Sequence, residues 1–120
     1  MLRISFAYGT RGARTVDERN FRDVNLNLLV VFAVLMRERS TTRAAERLLL
    51  SQPAVSHSLK RLRTLFADEL FTRVSQGLVP TARAHRLYED LLPSLHSIEN
   101  TLRLNGPAPQ NSKSALSAAA

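Results

Sequence analysis

The apolar positions of this chain change their spacing from segment to segment, and each change marks an element. Over residues 23–39, Leu28, Leu29, Phe32, Leu35 and Met36 recur at helical intervals, with Asn25 or Asp23 available as cap. Arg37 and Arg39 fall in the last turn, where they complement the negative end of the helix dipole. A short helix is predicted over 43–49, capped by Thr41 or Thr42, with Ala44, Ala45, Leu48 and Leu49 on its apolar side. Ser51 then starts another helix, with Pro53 in its first turn, where a missing N–H costs nothing. Val55, Leu59, Leu62 and Phe66 form its buried stripe and leave Gln52, Ser56, His57, Lys60, Arg61 and Arg63 outside. Two helices, a turn of a few residues and a polar-basic outer face make a helix-turn-helix.

Beyond Phe66 the period shortens. Residues 70–74 and 78–79 read as two short strands around the turn Ser75-Gln76-Gly77. A hairpin directly after such a helix predicts a mainly α, winged helix-turn-helix fold: a three-helix core plus a short β-hairpin wing. Thr81 caps a last, long helix from Ala82 to about Leu102. Its apolar residues Ala84, Tyr88, Leu91, Leu95, Ile98 and Leu102 are spaced alternately four and three apart. That heptad seam favours pairing between two chains, the alternative being a face packed on its own domain. Pro93 within it should remove one backbone hydrogen bond and bend it. The domain therefore spans 23–81 and the linker or dimerisation helix 82–104. Residues 1–22 lack periodicity and read as a flexible arm, either inert or contributing phosphate contacts without sequence preference. Residues 105–120, rich in Pro, Ser and Ala, read as a flexible tail.

Charge adds direction to this outline. The chain of 120 residues carries a formal net charge of +7, which suits a polyanionic partner. The distribution matters more than the total: residues 1–22 hold five Arg against Asp17 and Glu18, and residues 43–63 hold five basic side chains against Glu46 alone. There is no cysteine, which excludes disulfides and thiolate metal sites and is compatible with a reducing cytoplasm. No apolar run reaches the length of a membrane span, so no membrane partner is expected. Nor is an enzyme or a cofactor: His57, His85 and His96 lack ligand spacing, and no nucleophile elbow or glycine-rich phosphate loop occurs.

Double-stranded DNA is the partner that the outer face of the second helix fits. Gln52 could address adenine through paired acceptor and donor atoms, and Pro53 and Ala54 could touch a thymine methyl. Ser56 and His57 reach base edges or phosphates, while Lys60, Arg61 and Arg63 suit phosphate oxygens. Thr42 and Arg43 open the preceding helix, within reach of the DNA backbone. Arg73, Ser75 and Gln76 on the wing could approach the flanking minor groove. The competing reading is an ordinary solvated face for the basic residues, and purely local capping and packing for Ser51, Pro53 and Ala54.

The ordered residues SxTxAAxxLxxSQPAVS from Ser40 to Ser56, LF-T-R from Leu70 to Arg73 and Pro80-Thr81 resemble the amino-terminal DNA-binding domain of LysR-type transcriptional regulators. Asp23, Asn25, Leu28, Leu29 and Phe32 are similar too. The resemblance covers about residues 23–102. It implies a bacterial, cytoplasmic, nucleoid-associated regulator that binds an interrupted palindrome as a homodimer through the linker helix, with tetramers in full-length members. Ser51 and Thr81 are also expected at the DNA. The resemblance also implies a following effector-binding domain, expected to be absent from this chain, so no small-molecule effector is expected here. Without that domain, an interaction protein forming mixed dimers with a full-length relative is the alternative function. Three residues depart from the family pattern: Leu49 and Ala67 stand where the turns often have Gly, and Arg63 where many members have Glu. Those turns either do without a positive φ or are strained.

Overall fold

A computed structural model describes residues 15–106 of the chain; the arm up to residue 14 and the tail from residue 107 lie outside it. Helices α1 (Leu26–Glu38), α2 (Thr41–Leu48) and α3 (Gln52–Phe66) precede strands β1 (Phe71–Val74) and β2 (Gly77–Pro80) and helix α4 (Ala82–Asn105). This is the winged helix-turn-helix with a long final helix that the periodicity predicts.

The caps refine the predicted boundaries. Asn25, not Asp23, caps α1, its side chain accepting from the Asn27 N–H at 2.7 Å. Ser40 takes the role expected of Thr41 or Thr42: its hydroxyl accepts from the Arg43 N–H at 3.1 Å. Ser40 is extended, whereas Thr41 is already helical and buried, and only the extended residue can aim its oxygen back at the first turn. Ser51 caps α3 through the Ala54 N–H, with Pro53 in the first turn. The three helix ends share one device. Arg39, Leu49 and Ala67 are left-handed, with φ of 56°, 58° and 49°, without glycine at any of them. Each such residue costs about 1–2 kcal/mol. At Leu49 and Ala67 the next residue closes a second bond, Leu50 N–H to Ala45 O at 2.9 Å and Asp68 N–H to Arg63 O at 3.2 Å, which offsets the strain by satisfying carbonyls the helix would leave open. Leu49, placed by its spacing on the apolar side of α2, instead ends that helix and is 90% exposed.

The core forms where α1 is covered from several sides by α2, α3 and α4. Its buried face is accordingly wider than one stripe: Val31 and Val34 join Leu28, Phe32, Leu35 and Met36, while Leu29 is only half-buried. Ala44 and Ala45 are buried, and their small side chains let α2 approach its neighbours closely. Val55, Leu59 and Leu62 are buried along α3, with Phe66 packed at the edge. Phe32 sits at the centre, fully buried, with its ring 5.9 Å from Phe71 of the wing and 6.3 Å from Tyr88 of α4. Burying a side chain of that size is worth about 1.5–3 kcal/mol, with a further gain from tilted and edge-on ring geometry. One aromatic cluster thus joins helices, wing and final helix.

The wing is an antiparallel hairpin with Phe71 opposite Pro80 and Val74 opposite Gly77. It rests on the end of α1: the Leu78 N–H donates to the Arg39 carbonyl at 2.9 Å. Gly77 has φ +130°, and a Cβ there would stand 2.4 Å from that same oxygen. At the wing's base Asp68 gathers three segments. Its Oδ2 accepts from the Leu70 N–H at 2.9 Å and from the Thr81 hydroxyl at 2.8 Å, and Thr81 in turn caps α4 by accepting from the Ala84 N–H. The Leu70 N–H, then the Thr81 hydroxyl, and at longer range Arg83 and Arg86, hold the Asp68 carboxyl below its ordinary value.

Gly77→Ala is therefore expected to destabilise the domain by about 2–4 kcal/mol, since the added methyl meets both a disfavoured φ and a backbone oxygen; urea unfolding measures it. Asp68 contributes as a depressed carboxylate. Its stabilisation is present above the unfolded-state value of about 4 and is lost as pH falls through its lowered folded value. Asp68→Asn should be less stable than the parent at pH 7, and the two should converge under acid when unfolding is followed across that window.

Candidate nucleic-acid interface

α3 presents its outer side without a single carboxylate between Gln52 and Phe66. Neither α2 nor α3 has an acidic residue in its first turn, so the partial positive charge of each helix N-terminus is left open to an anion. Gln52, Pro53, Ser56, His57, Lys60 and Arg61 are exposed on this side, with Ala54 half-buried beneath them. Thr42 and Arg43 are exposed at the start of α2, and Arg73, Ser75 and Gln76 at the tip of the wing. The fold therefore brings the predicted α2, α3 and wing residues onto connected, solvent-facing elements.

Several predicted contact residues already have partners. The Gln52 side-chain N–H donates to the Thr41 hydroxyl at 3.3 Å. One amide hydrogen and the carbonyl oxygen stay available, so Gln52 keeps a donor–acceptor pair while a buried hydroxyl orients it. Sequence spacing does not reveal this bond between Thr41 and Gln52, because it joins residues eleven apart on different helices. Arg63 donates through Nε to the Glu69 carbonyl at 2.7 Å and through Nη2 to the Phe71 carbonyl at 3.0 Å. It ties α3 to the wing. Ser51 and Thr81 are occupied as helix caps. Arg43 leans towards Glu38, which also faces Arg47; at separations of 3.8 and 3.7 Å, with both arginines exposed and Glu38 half-buried, these pairs add little stability.

The seam of α4 divides in two. Ala84 is buried, Tyr88 packs on Phe32, and Leu91 is partly buried against the domain's own core. Further along the exposure rises: Ile98 is 41% and Leu102 58% exposed. This outer half of α4 and the outer side of α1, including Leu26 and Val30, line an open groove of about 550 Å³. Beside the buried face that its spacing predicts, α1 thus carries exposed apolar residues at Leu26 and Val30. His57, His85 and His96 are all exposed on separate parts of the surface. Among the described residues no group of His, Cys, Asp or Glu gathers as a metal site, and no helix is long and apolar enough to cross a membrane.

Residues 26–85 match the family described as bacterial regulatory helix-turn-helix protein, lysR family. The chain is 46% identical over 98 residues to the HTH-type transcriptional regulator LeuO of Escherichia coli, covering 82% of this chain and 31% of that one. It is 49% identical over 82 residues to the HTH-type transcriptional activator NahR of Pseudomonas putida, covering 68% of this chain and 27% of the relative. The chain thus spans about three-tenths of the length of these relatives. Among solved structures, a probable transcriptional regulator from Pseudomonas aeruginosa superposes with a TM-score of 0.69 at 38% identity, over 74% of this chain and 30% of that one. The BenM DBD in complex with catB site 1 DNA superposes with a TM-score of 0.63 at 25% identity, over 68% of this chain and 91% of that one.

Proposed function

The chain belongs to the LysR family of bacterial regulatory helix-turn-helix proteins, and from that premise we propose that it is the DNA-binding portion of a transcriptional regulator, reading an interrupted palindrome as a dimer. The observation that carries this reading is the carboxylate-free outer side of α3, flanked by an exposed wing within the segment that matches the family. α3 enters the major groove. Gln52, oriented by Thr41, addresses a base edge, with Pro53, Ala54, Ser56 and His57 beside it. Lys60 and Arg61 meet phosphates, as do Thr42 and Arg43 on the α2 side. Arg73, Ser75 and Gln76 follow the flanking minor groove. Ser51, Arg63 and Thr81 act by holding these elements in place.

Pairing runs through the outer half of α4. Leu95, Ile98 and Leu102 continue the heptad seam past the point where the domain's own core covers it, and the groove against α1 widens the apolar surface offered to a second copy. The same surface suits a mixed dimer with a longer relative; tagged chain that captures such a relative but never itself would favour that second reading.

Gln52→Ala should lower affinity for a palindrome selected from a randomised duplex library by about 1–3 kcal/mol and relax preference at one base pair. Arg61→Ala should weaken selected and scrambled duplexes alike and reduce the salt slope by about one. Equal binding of the parent to both duplexes at every salt concentration would sink the reading. For pairing, sedimentation equilibrium of Leu102→Glu should show a monomer with an unchanged helical spectrum, whereas Leu91→Glu should unfold; a Leu102→Glu dimer would place the interface elsewhere.

A further inference from the structure

The segment leading into α1 lies just ahead of residues 26–85, the part of the chain that matches the family model. Glu18–Phe21 form a single 3-10 turn capped by Asp17. Asp17 also holds the Arg19 guanidinium through two bonds, at 2.9 and 2.7 Å, so that cation is already paired. The chain then reverses at Asp23, with φ 65°, before the Asn25 cap. This reversal makes Arg22 and Asp23 one wall of an open hollow of about 590 Å³, whose other wall is the ridge His57, Lys60, Arg61 and Thr64 of α3. Arg22, Lys60 and Arg61 are exposed, and none is held in an ion pair among the described residues. Asp23 is the one acid lining the space. The family match begins at residue 26, after this wall.

We propose that this hollow seats a phosphate of the DNA backbone, with Arg22 completing from the leading segment a site that Lys60 and Arg61 open on α3. The inference rests on the reading of α3 as the groove-entering helix and deepens it. Three unpaired cations facing one acid leave a positive balance in a space open to solvent, which suits an exposed anion fixed to a larger body. An arginine fork can take two phosphate oxygens at once, and a lysine adds a point charge beside it. Such a contact fixes the height of α3 in the groove and carries no sequence information of its own. Arg19, paired with Asp17 in the same segment, serves as the internal control.

The test is fluorescence anisotropy with the selected and scrambled duplexes over a salt series. Arg22→Gln should weaken both duplexes by the same factor and make the slope of log K against log salt shallower by about 0.9 per subunit. Arg22→Lys should retain the slope, and Arg19→Gln should behave as the parent. Parental slope and affinity in Arg22→Gln would overturn the proposal, as would an equal flattening by Arg19→Gln, which would mark a general charge effect. If Arg22→Gln is silent while Arg61→Ala still flattens the slope, the family reading stands and this site alone fails. A parent that binds neither duplex removes both, whereas equal binding to the two removes the palindrome reading alone.

Discussion

The Arg39 carbonyl is the point on which the geometry of the domain turns. It ends α1 in a left-handed residue, directs the chain into the Ser40 cap of α2, and accepts the Leu78 N–H of the wing at 2.9 Å. Gly77 is pressed so closely against it that a side chain has no room. One backbone oxygen therefore sets how far the wing stands from the end of α1, and α3 follows through the core that α1 shares with both. Phe32 repeats the connection in apolar terms, between Phe71 and Tyr88.

Around this junction the polar residues divide into those that hold and those that face solvent. Arg63 shows why the distinction is physical. A guanidinium donates, and the carbonyls of Glu69 and Phe71 only accept, so an arginine at this position can bind the wing's base where a carboxylate could not. Asp68 and Thr81 make a second tie on the same side. Between them, α3 and the wing are linked by hydrogen bonds at both the entry and the exit of the hairpin. Gln52 stands between the two classes, tethered to Thr41 and still open to a partner. A surface intended to read a rigid polymer gains from this arrangement, because side chains held in advance lose less freedom on binding.

The departures at Leu49 and Ala67 have a definite outcome. Both positions keep the left-handed conformation that usually draws glycine, and both close the doubled hydrogen-bond pattern that makes it bearable. The turn is thus dictated by where α2 and α3 must pack, and local preference yields to it. Leu49 also shows the limit of spacing arguments: its interval from Leu48 and Ala45 suits a helical face, yet one residue past the last turn the chain leaves that face altogether.

Alternation of apolar and polar residues, the caps at Asn25 and Ser51, Pro53 and the Gly-bearing hairpin were enough to place four helices and a wing, because these signals act within a few residues of themselves. The order of residues from Ser40 to Ser56 added the family, and the charge distribution singled out α3. What only the tertiary structure decided involves groups far apart in the chain. The Ser40 cap depended on backbone angles that α1 imposes, and the tasks of Thr41 and Arg63 and the bond from Thr81 to Asp68 depended on partners on other elements. The heptad seam of α4 was legible as a repeat, but its division into a half that covers Phe32 and a half left exposed was not: a repeat records which residues share a face, and only packing determines how much of that face the domain itself consumes.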